Sequence, residues 1–373
     1  MANNIREFIK SFLLGKLTNG VSLYISKYDE QVVNILSKRC FYYLGVYPVI
    51  KKARYFNINF LFFLDRGIKL KGDDFKLLFF SYPFFYNVDF MKNHHDAWVW
   101  HNILNDFDVF QYDNIALMES FFSRIDSLQS KYQKCYIFGT GPSISDTYNF
   151  DFSDGYRVVC NTIVKDKTLW NHIRPNLVVA GDALYHFSDS PFAIRFRQDL
   201  MKRLSENPDT LFVFPKLYYT LIKKEFSELL EQLVPIEFSD RETLENLRIN
   251  FKLPRLGNVL NLLLLPISIS LAKDIYLLGF DGKGPNDIFF WKNAIDTFYE
   301  DEFKILVEEH PAFFNHYVPV SEPNKYIMSV HGEHLENELI RLENNGYKFT
   351  LLSPSFTPTL QKRYIHDRKI NKQ

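Results

Sequence analysis

From residue 135 onward, short continuous apolar runs alternate with longer stretches whose apolar residues recur at helical spacing. The runs are Cys135–Phe138, Arg157–Cys160, Asn176–Ala180, Leu211–Phe214, Asp274–Leu278 and Lys348–Leu352. They are apolar at successive positions, as strands buried on both faces of a parallel sheet are. Between them the spacing predicts a short helix over 164–172, closed by Arg174-Pro175, and a helix carrying Phe192, Ile194, Phe196 and Leu200. Gly257-Asn258 opens a long apolar helix to about Ala272, and a last helix lies near Glu333–Asn344. Strands alternating with helices predict an α/β fold: a Rossmann-like, mostly parallel sheet with helices on both faces.

The earlier chain is less regular. Ile5, Phe8, Ile9, Phe12, Leu13 and Leu17 fall at helical spacing with Arg6, Lys10 and Lys16 between them, an amphipathic basic helix over 1–20. Such a helix packs on its own core or lies on a membrane surface. Strand-like runs occur at Asn59–Leu64 and Lys76–Ser81, and a helix is expected over 116–131. The aromatic cluster Tyr82–Tyr86 lines a groove or fills the core. We therefore divide the chain into an N-terminal mixed α/β accessory region, 1–130, and a Rossmann-like domain, 131–373. His94-His95-Asp96 has a metal-like composition, but adjacent side chains diverge and a surface loop is the reading adopted.

Charge and cysteines narrow the class. Lys+Arg and Asp+Glu both count 44, which argues against a general nucleic-acid binder. Cys40, Cys135 and Cys160 lack metal-ligand spacing and suit a reducing compartment. No apolar run reaches the roughly 20 residues a spanning helix needs. Lys10 and Lys16 interrupt the apolar N-terminus, unlike a signal peptide. The expectation is a cytoplasmic protein, with 1–20 or the basic tail (Lys362, Arg363, Arg368, Lys369) as the places for peripheral contact with the inner face of a membrane.

The chemistry-bearing residues come after strands. Thr140, Ser143, Asn161, Asp182 and Asp281 follow apolar runs, and the carboxyl ends of an open parallel sheet form its ligand crevice. In Gly139-Thr140-Gly141-Pro142-Ser143 the glycines allow close backbone approach, exposed amides would face an anion, Pro142 stiffens the turn and Ser143 would cap the next helix. The turn is neither a Walker A loop nor a complete dinucleotide fingerprint. Asn161 suits a base or sugar hydroxyl, or a turn. Asp182 suits a ribose hydroxyl, a metal, or a cap for a helix at Ala183. Gly257-Asn258 is a second candidate anion site. Asp281, between Gly279 and Gly282, sits in a tight turn. His331, just before Gly332 and the last helix, is the candidate general base; His310, His316 and His334 share its segment.

In order, Phe138-Gly-Thr-Gly-Pro-Ser143, Cys160-Asn161, Leu256-Gly-Asn-Val259 and Ile275-Tyr-Leu-Leu-Gly-Phe-Asp281 resemble the motifs of bacterial sialyltransferases of glycosyltransferase family 42. The phrase Ile173-Arg-Pro-Asn-Leu-Val-Val-Ala-Gly-Asp182 is closer to the related group named after hydroxymethylpterin pyrophosphokinases, which includes flagellin-modifying glycosyltransferases. The resemblance covers about 135–356. It implies that Gly139, Thr140, Gly141, Pro142 and Ser143 contact donor phosphate and ribose, that Asn161, Gly257 and Asn258 hold the nucleotide, and that His331 is the catalytic histidine, with His334 as the other candidate. Thr140 and Asp182 stand where family 42 has asparagines. Gly282-Lys283-Gly284 replaces its phosphate-steadying tyrosines, so Lys283 would supply that charge.

Three functions follow. The first is a glycosyltransferase moving a sugar (sialic acid, Kdo or a related one) from a CMP-activated donor to a glycan or glycolipid acceptor. His331 would act as base, Lys283 and the turn amides would stabilise departing CMP, and the N-terminal region would help bind acceptor. A retaining enzyme would use Asp182 or Asp281 as nucleophile. The CMP-sugar is a co-substrate, and no metal or other cofactor is expected. The second is a pyrophosphokinase using ATP and Mg²⁺ held by Asp182 and Asp281. The third is a non-catalytic nucleotide- or glycan-binding protein.

Overall fold

A computed structural model describes residues 21–25, 30–45, 47–52, 60–63, 85–87, 97–106, 114–127, 132–284, 297–310, 314 and 333–365. The N-terminal part contributes a four-stranded sheet of β1 (Val21–Ile25), β2 (Val49–Lys52), β3 (Phe60–Phe63) and β4 (Phe85–Asn87), in the order β2-β1-β3-β4. β1 and β2 run parallel; β3 is antiparallel to β1 and β4. The expected helix over 1–20, the strand at Lys76–Ser81, the cluster Tyr82–Phe84 and His94-His95-Asp96 lie outside the described residues.

The main sheet has seven parallel strands: β5 (Lys134–Phe138), β6 (Gly155–Cys160), β7 (Leu177–Val179), β8 (Leu211–Pro215), β9 (Leu233–Ile236), β10 (Asp274–Leu278) and β11 (Lys348–Leu351). Their order is β11-β10-β5-β6-β7-β8-β9. The chain lays down β5 to β9 outward, then returns to place β10 on the other side of β5. β9 is the strand the apolar pattern misses. It contains Pro235, and proline, with no N–H for a central ladder, belongs on a sheet edge, where β9 sits.

Successive strand residues point to opposite faces, and each face carries its own core. Tyr136, Phe138, Val159, Val178, Phe212 and Phe214 pack beneath helices Glu30–Leu44, Ala97–Asp106, Lys167–Ile173, Pro191–Glu206, Tyr219–Glu225 and Glu300–Glu309. Cys135, Ile137, Val158, Cys160, Val179, Ile275 and Leu277 pack beneath helices Asn114–Asp126, Leu265–Leu271 and Glu333–Asn344. The sheet is thus covered on both faces, as the apolar runs require. All three cysteines are buried and unbridged, and burial pushes each thiol well above its usual range, so none is poised as a nucleophile.

The expected helix from Gly257 to Ala272 forms as a wide π turn, Leu260–Leu264, followed by the α-helical Leu265–Leu271. Pro266 has no N–H for an internal helical bond and stands at the join. No helix among the described residues is long and apolar enough to cross a membrane.

Candidate functional site

The strand order reverses between β5 and β10, so the turns after these two strands meet at the switch point, where open α/β sheets bind ligands. Gly139 N–H donates to Leu278 O (2.8 Å) and Gly141 N–H to Gly279 O (2.9 Å). A Cβ on Gly139 would lie 2.4 Å from Gly279 O, and one on Gly141 would lie 2.1 Å from Asp281 Oδ2. The glycines are therefore required by backbone pressed against backbone.

Asp281 completes the contact. Ser143 N–H lies 3.0 and 3.2 Å from its two carboxylate oxygens, Ser143 Oγ donates to Oδ2 at 2.8 Å, and Ser353 Oγ lies 2.8 Å from Ser143 Oγ. An internal carboxylate thus sits at the start of the 3₁₀ turn Pro142–Asn149. Burial raises the Asp281 pKa, and the Ser143 bonds oppose that rise. This corrects two expectations. The amides of Gly139, Gly141 and Ser143 do not form an open anion cradle, because Leu278 O, Gly279 O and Asp281 already engage them. Ser143 does not cap the following helical turn, since Gly141 holds the cap position and the Ser143 hydroxyl faces Asp281. Within the turn, Pro142 has no N–H. Thr140 N–H and hydroxyl have no hydrogen-bond partner among the described residues, while Thr140 O accepts from Thr297 Oγ1 at 3.1 Å. Thr140 is thus the residue of this turn whose donors are left unpartnered among the described residues.

Asn161 follows β6 directly. Its backbone is left-handed (φ 50°), and its carboxamide Oδ1 is buried with no hydrogen-bond partner among the described residues. Among the described residues only three non-glycine positions have positive φ: Asn161, Asn258 (φ 58°) and Arg174, the last being a helix C-cap. Two asparagines thus hold an uncommon conformation at the two places the motifs single out. Asn258 has a local use, accepting Asn261 N–H at 3.0 Å as a cap. Gly257 before it is exposed, and a Cβ there would touch no described residue within 4 Å.

Asp182 follows β7 and caps the short helix Ala183–His186, its Oδ1 accepting Leu184 N–H (2.7 Å) and Tyr185 N–H (3.0 Å). Its own N–H donates to His186 Nδ1 at 3.1 Å. Burial raises the Asp182 carboxyl to about 6 against the pull of the two cap amides. Burial also lowers buried His186 to about 3, so its imidazole is neutral. Before Asp182, Gly181 lets Leu262 press on the strand end, 2.7 Å from where a Cβ would lie.

The accessory region closes the edge beyond Asp182. Helix Ala97–Asp106 packs on Ala183–His186 and on the 3₁₀ turn Lys216–Tyr218 after β8. His101 Nδ1 lies 2.6 Å from the Tyr218 hydroxyl, and the Tyr218 ring stacks on Phe187 with centroids 3.9 Å apart. Burial, helped by Arg255, lowers His101 to about 4. His101 is therefore neutral, and its tautomer sets which partner donates in that bond. The candidate crevice is the stretch of edge from Asp281 through Thr140 and Asn161 to Asp182.

The other expected site residues fall as follows. Lys283 is buried, after Gly282, whose φ of 73° carries the backbone past Thr357. His331 and His316 lie outside the described residues. His334 is exposed, and its Nε2 lies 3.0 Å from Glu242 O, where it is occupied away from the strand ends. Asp182 and Asp281 belong to no group of three His, Cys, Asp or Glu side chains able to hold a metal among the described residues, and both Asp281 oxygens face Ser143. Sequence reasoning missed Ser353, Thr297, His186, Tyr218 and His101. Ser353 directly follows an apolar run, the same rule that selected Asp182. Thr297 and His101 reach the edge from segments with no local signal.

No protein-family profile and no curated protein matches the chain. Among solved structures it is similar to the sialyltransferase CstII from Campylobacter jejuni. In the complex with the substrate analogue cytidine-5'-monophosphate the identity is 17%, covering 65% of this chain and 92% of that one at a TM-score of 0.32. In the complex with CMP-3FNeuAc it is 19%, covering 64% and 93% at a TM-score of 0.35.

Proposed function

We propose that this protein is a glycosyltransferase that moves a sugar from a CMP-activated donor to a surface-glycan acceptor, with the nucleotide seated along the edge from Thr140 to Asp182. The observation that carries the reading is Asn161. A buried carboxamide oxygen with no partner among the described residues is costly, and a ligand's donor would complete it. A cytosine amine or a ribose hydroxyl supplies that donor. Thr140 offers its N–H and hydroxyl on one side, and exposed Gly257 allows close backbone approach on another. A nucleoside monophosphate leaving group has a single phosphate, so the chemistry calls for no metal. Lys283 and Asn258 are assigned to the nucleotide side of the site, and the membrane contact expected for 1–20 would bring the enzyme to a lipid-linked acceptor, whereas Lys362 and Arg363 of the basic tail are instead paired with Glu336 and Glu343.

Asn161→Gly tests the reading, because glycine adopts φ 50° freely and removes only the carboxamide. Calorimetry is expected to show CMP binding weakened by about tenfold or more, the cost of one lost hydrogen bond to a buried group. The melting temperature without ligand should hold. Unchanged CMP affinity would remove Asn161 from the site and the reading with it.

A further inference from the structure

We propose that Asp182 is the general base of this crevice, with Oδ2 as the proton-accepting atom. The inference rests on the glycosyltransferase reading above and selects among its carboxylates.

Asp281 is unsuited, because both its oxygens are held by Ser143. His334 is engaged at Glu242 O. Asp182 differs from both. Its Oδ1 takes the two cap amides, which fixes the carboxylate plane. Its Oδ2 has no hydrogen-bond partner among the described residues. One oxygen is thus anchored and the other is left for a substrate proton.

The surroundings suit the task. Beside Asp182 stand neutral His186 and Tyr218, whose hydroxyl pKa burial raises well above its usual range; Arg197 lies behind His186. Among the described residues no cation pairs with the carboxylate. Burial raises it to about 6, close to the working range of a base at neutral pH. An ordinary helix-capping aspartate gains nothing from such burial, because its amides favour the ionised form.

The step balances without a further reagent. Asp182 Oδ2 takes the proton of the acceptor hydroxyl as the acceptor oxygen attacks the anomeric carbon. The bond from that carbon to the donor's phosphate oxygen breaks, and its electron pair leaves on CMP. The proton then passes from Asp182 to solvent. Direct displacement inverts the anomeric centre.

Asp182→Asn is the test, since asparagine caps a helix as well as aspartate does. We expect kcat to fall about 10²- to 10⁴-fold, a larger loss than any change in CMP affinity. The acidic limb of kcat/KM near pH 6 should vanish. Stability should move the other way. A carboxyl whose folded pKa is raised carries no cost below its unfolded value near 3.8, and the cost of ionising it grows as pH rises through about 6. The variant should therefore melt higher than wild type at pH 7.5 and equally at pH 4. If wild type turns over CMP-sugar and the variant keeps more than about a tenth of its kcat, or keeps the acidic limb, the assignment is overturned while the reading stands. The same holds if His331→Ala, and not Asp182→Asn, removes that limb. If wild type neither binds CMP nor turns over any CMP-sugar, the reading fails and the assignment falls with it.

Discussion

Gly139→Ala is expected to lower the melting temperature by on the order of 10 °C, from a loss of about 3 kcal/mol or more. The new Cβ would stand 2.4 Å from Gly279 O and 3.0 Å from Gly279 C. Both are backbone atoms of the turn after β10, which cannot rotate away as a side chain can. Relief requires β5 and β10 to separate at their carboxyl ends, and that breaks the bonds from Gly139 N–H to Leu278 O and from Gly141 N–H to Gly279 O. Asp281 would then lose its hold on Ser143. Gly257→Ala is the internal control, since its Cβ meets no described residue within 4 Å. It should leave the melting temperature within about 2 °C and act on CMP affinity. Equal melting temperatures for the two variants would contradict the packing described at the switch point.

Arg197→Met should cost about 3–5 kcal/mol, the penalty for breaking a buried, hydrogen-bonded ion pair. The Arg197 side chain is 2% exposed. Its guanidinium donates to both carboxylate oxygens of Glu225 (2.7 and 3.3 Å), to His186 O (2.8 Å), to Ser188 O (3.0 Å) and to the Tyr42 hydroxyl (2.7 Å). Tyr42 in turn donates to Ser188 O at 2.6 Å, and Arg39 of the same helix pairs with Asp189. The network joins the accessory helix Glu30–Leu44 to the loop that follows Asp182's helix. Urea unfolding should show the loss, and a cycle with Tyr42→Phe should show coupling of about 0.5–3 kcal/mol. Additive effects, or a loss below about 1 kcal/mol for the single variant, would mean the helix is held by apolar packing alone.

The parallel sheet was legible because a strand covered on both faces must be apolar at successive positions. Six of its seven strands announce themselves that way. β9 does not, because Pro235 interrupts a four-residue run at the edge, where a proline is tolerated. The strand-end rule found Thr140, Asn161, Asp182 and Asp281, and it stopped one residue short of Ser353. The glycines of the Gly139–Ser143 turn were found for the wrong reason. Locally they read as room for a phosphate. In the fold they are room for the turn after β10, a neighbour some 140 residues away that only the reversal of strand order brings close. The His101–Tyr218 bond spans 117 positions and joins two regions whose contact no local pattern encodes.

The central claim is that the crevice between Thr140 and Asp182 uses a CMP-activated sugar. Mass spectrometry of the purified chain incubated with a panel of CMP-sugars and a surface-glycan acceptor, in the presence of a chelator, tests it most directly. The account predicts CMP release from at least one donor together with acceptor gaining the mass of the sugar. Turnover of ATP with Mg²⁺ and a pterin acceptor, with every CMP-sugar left intact, would contradict it.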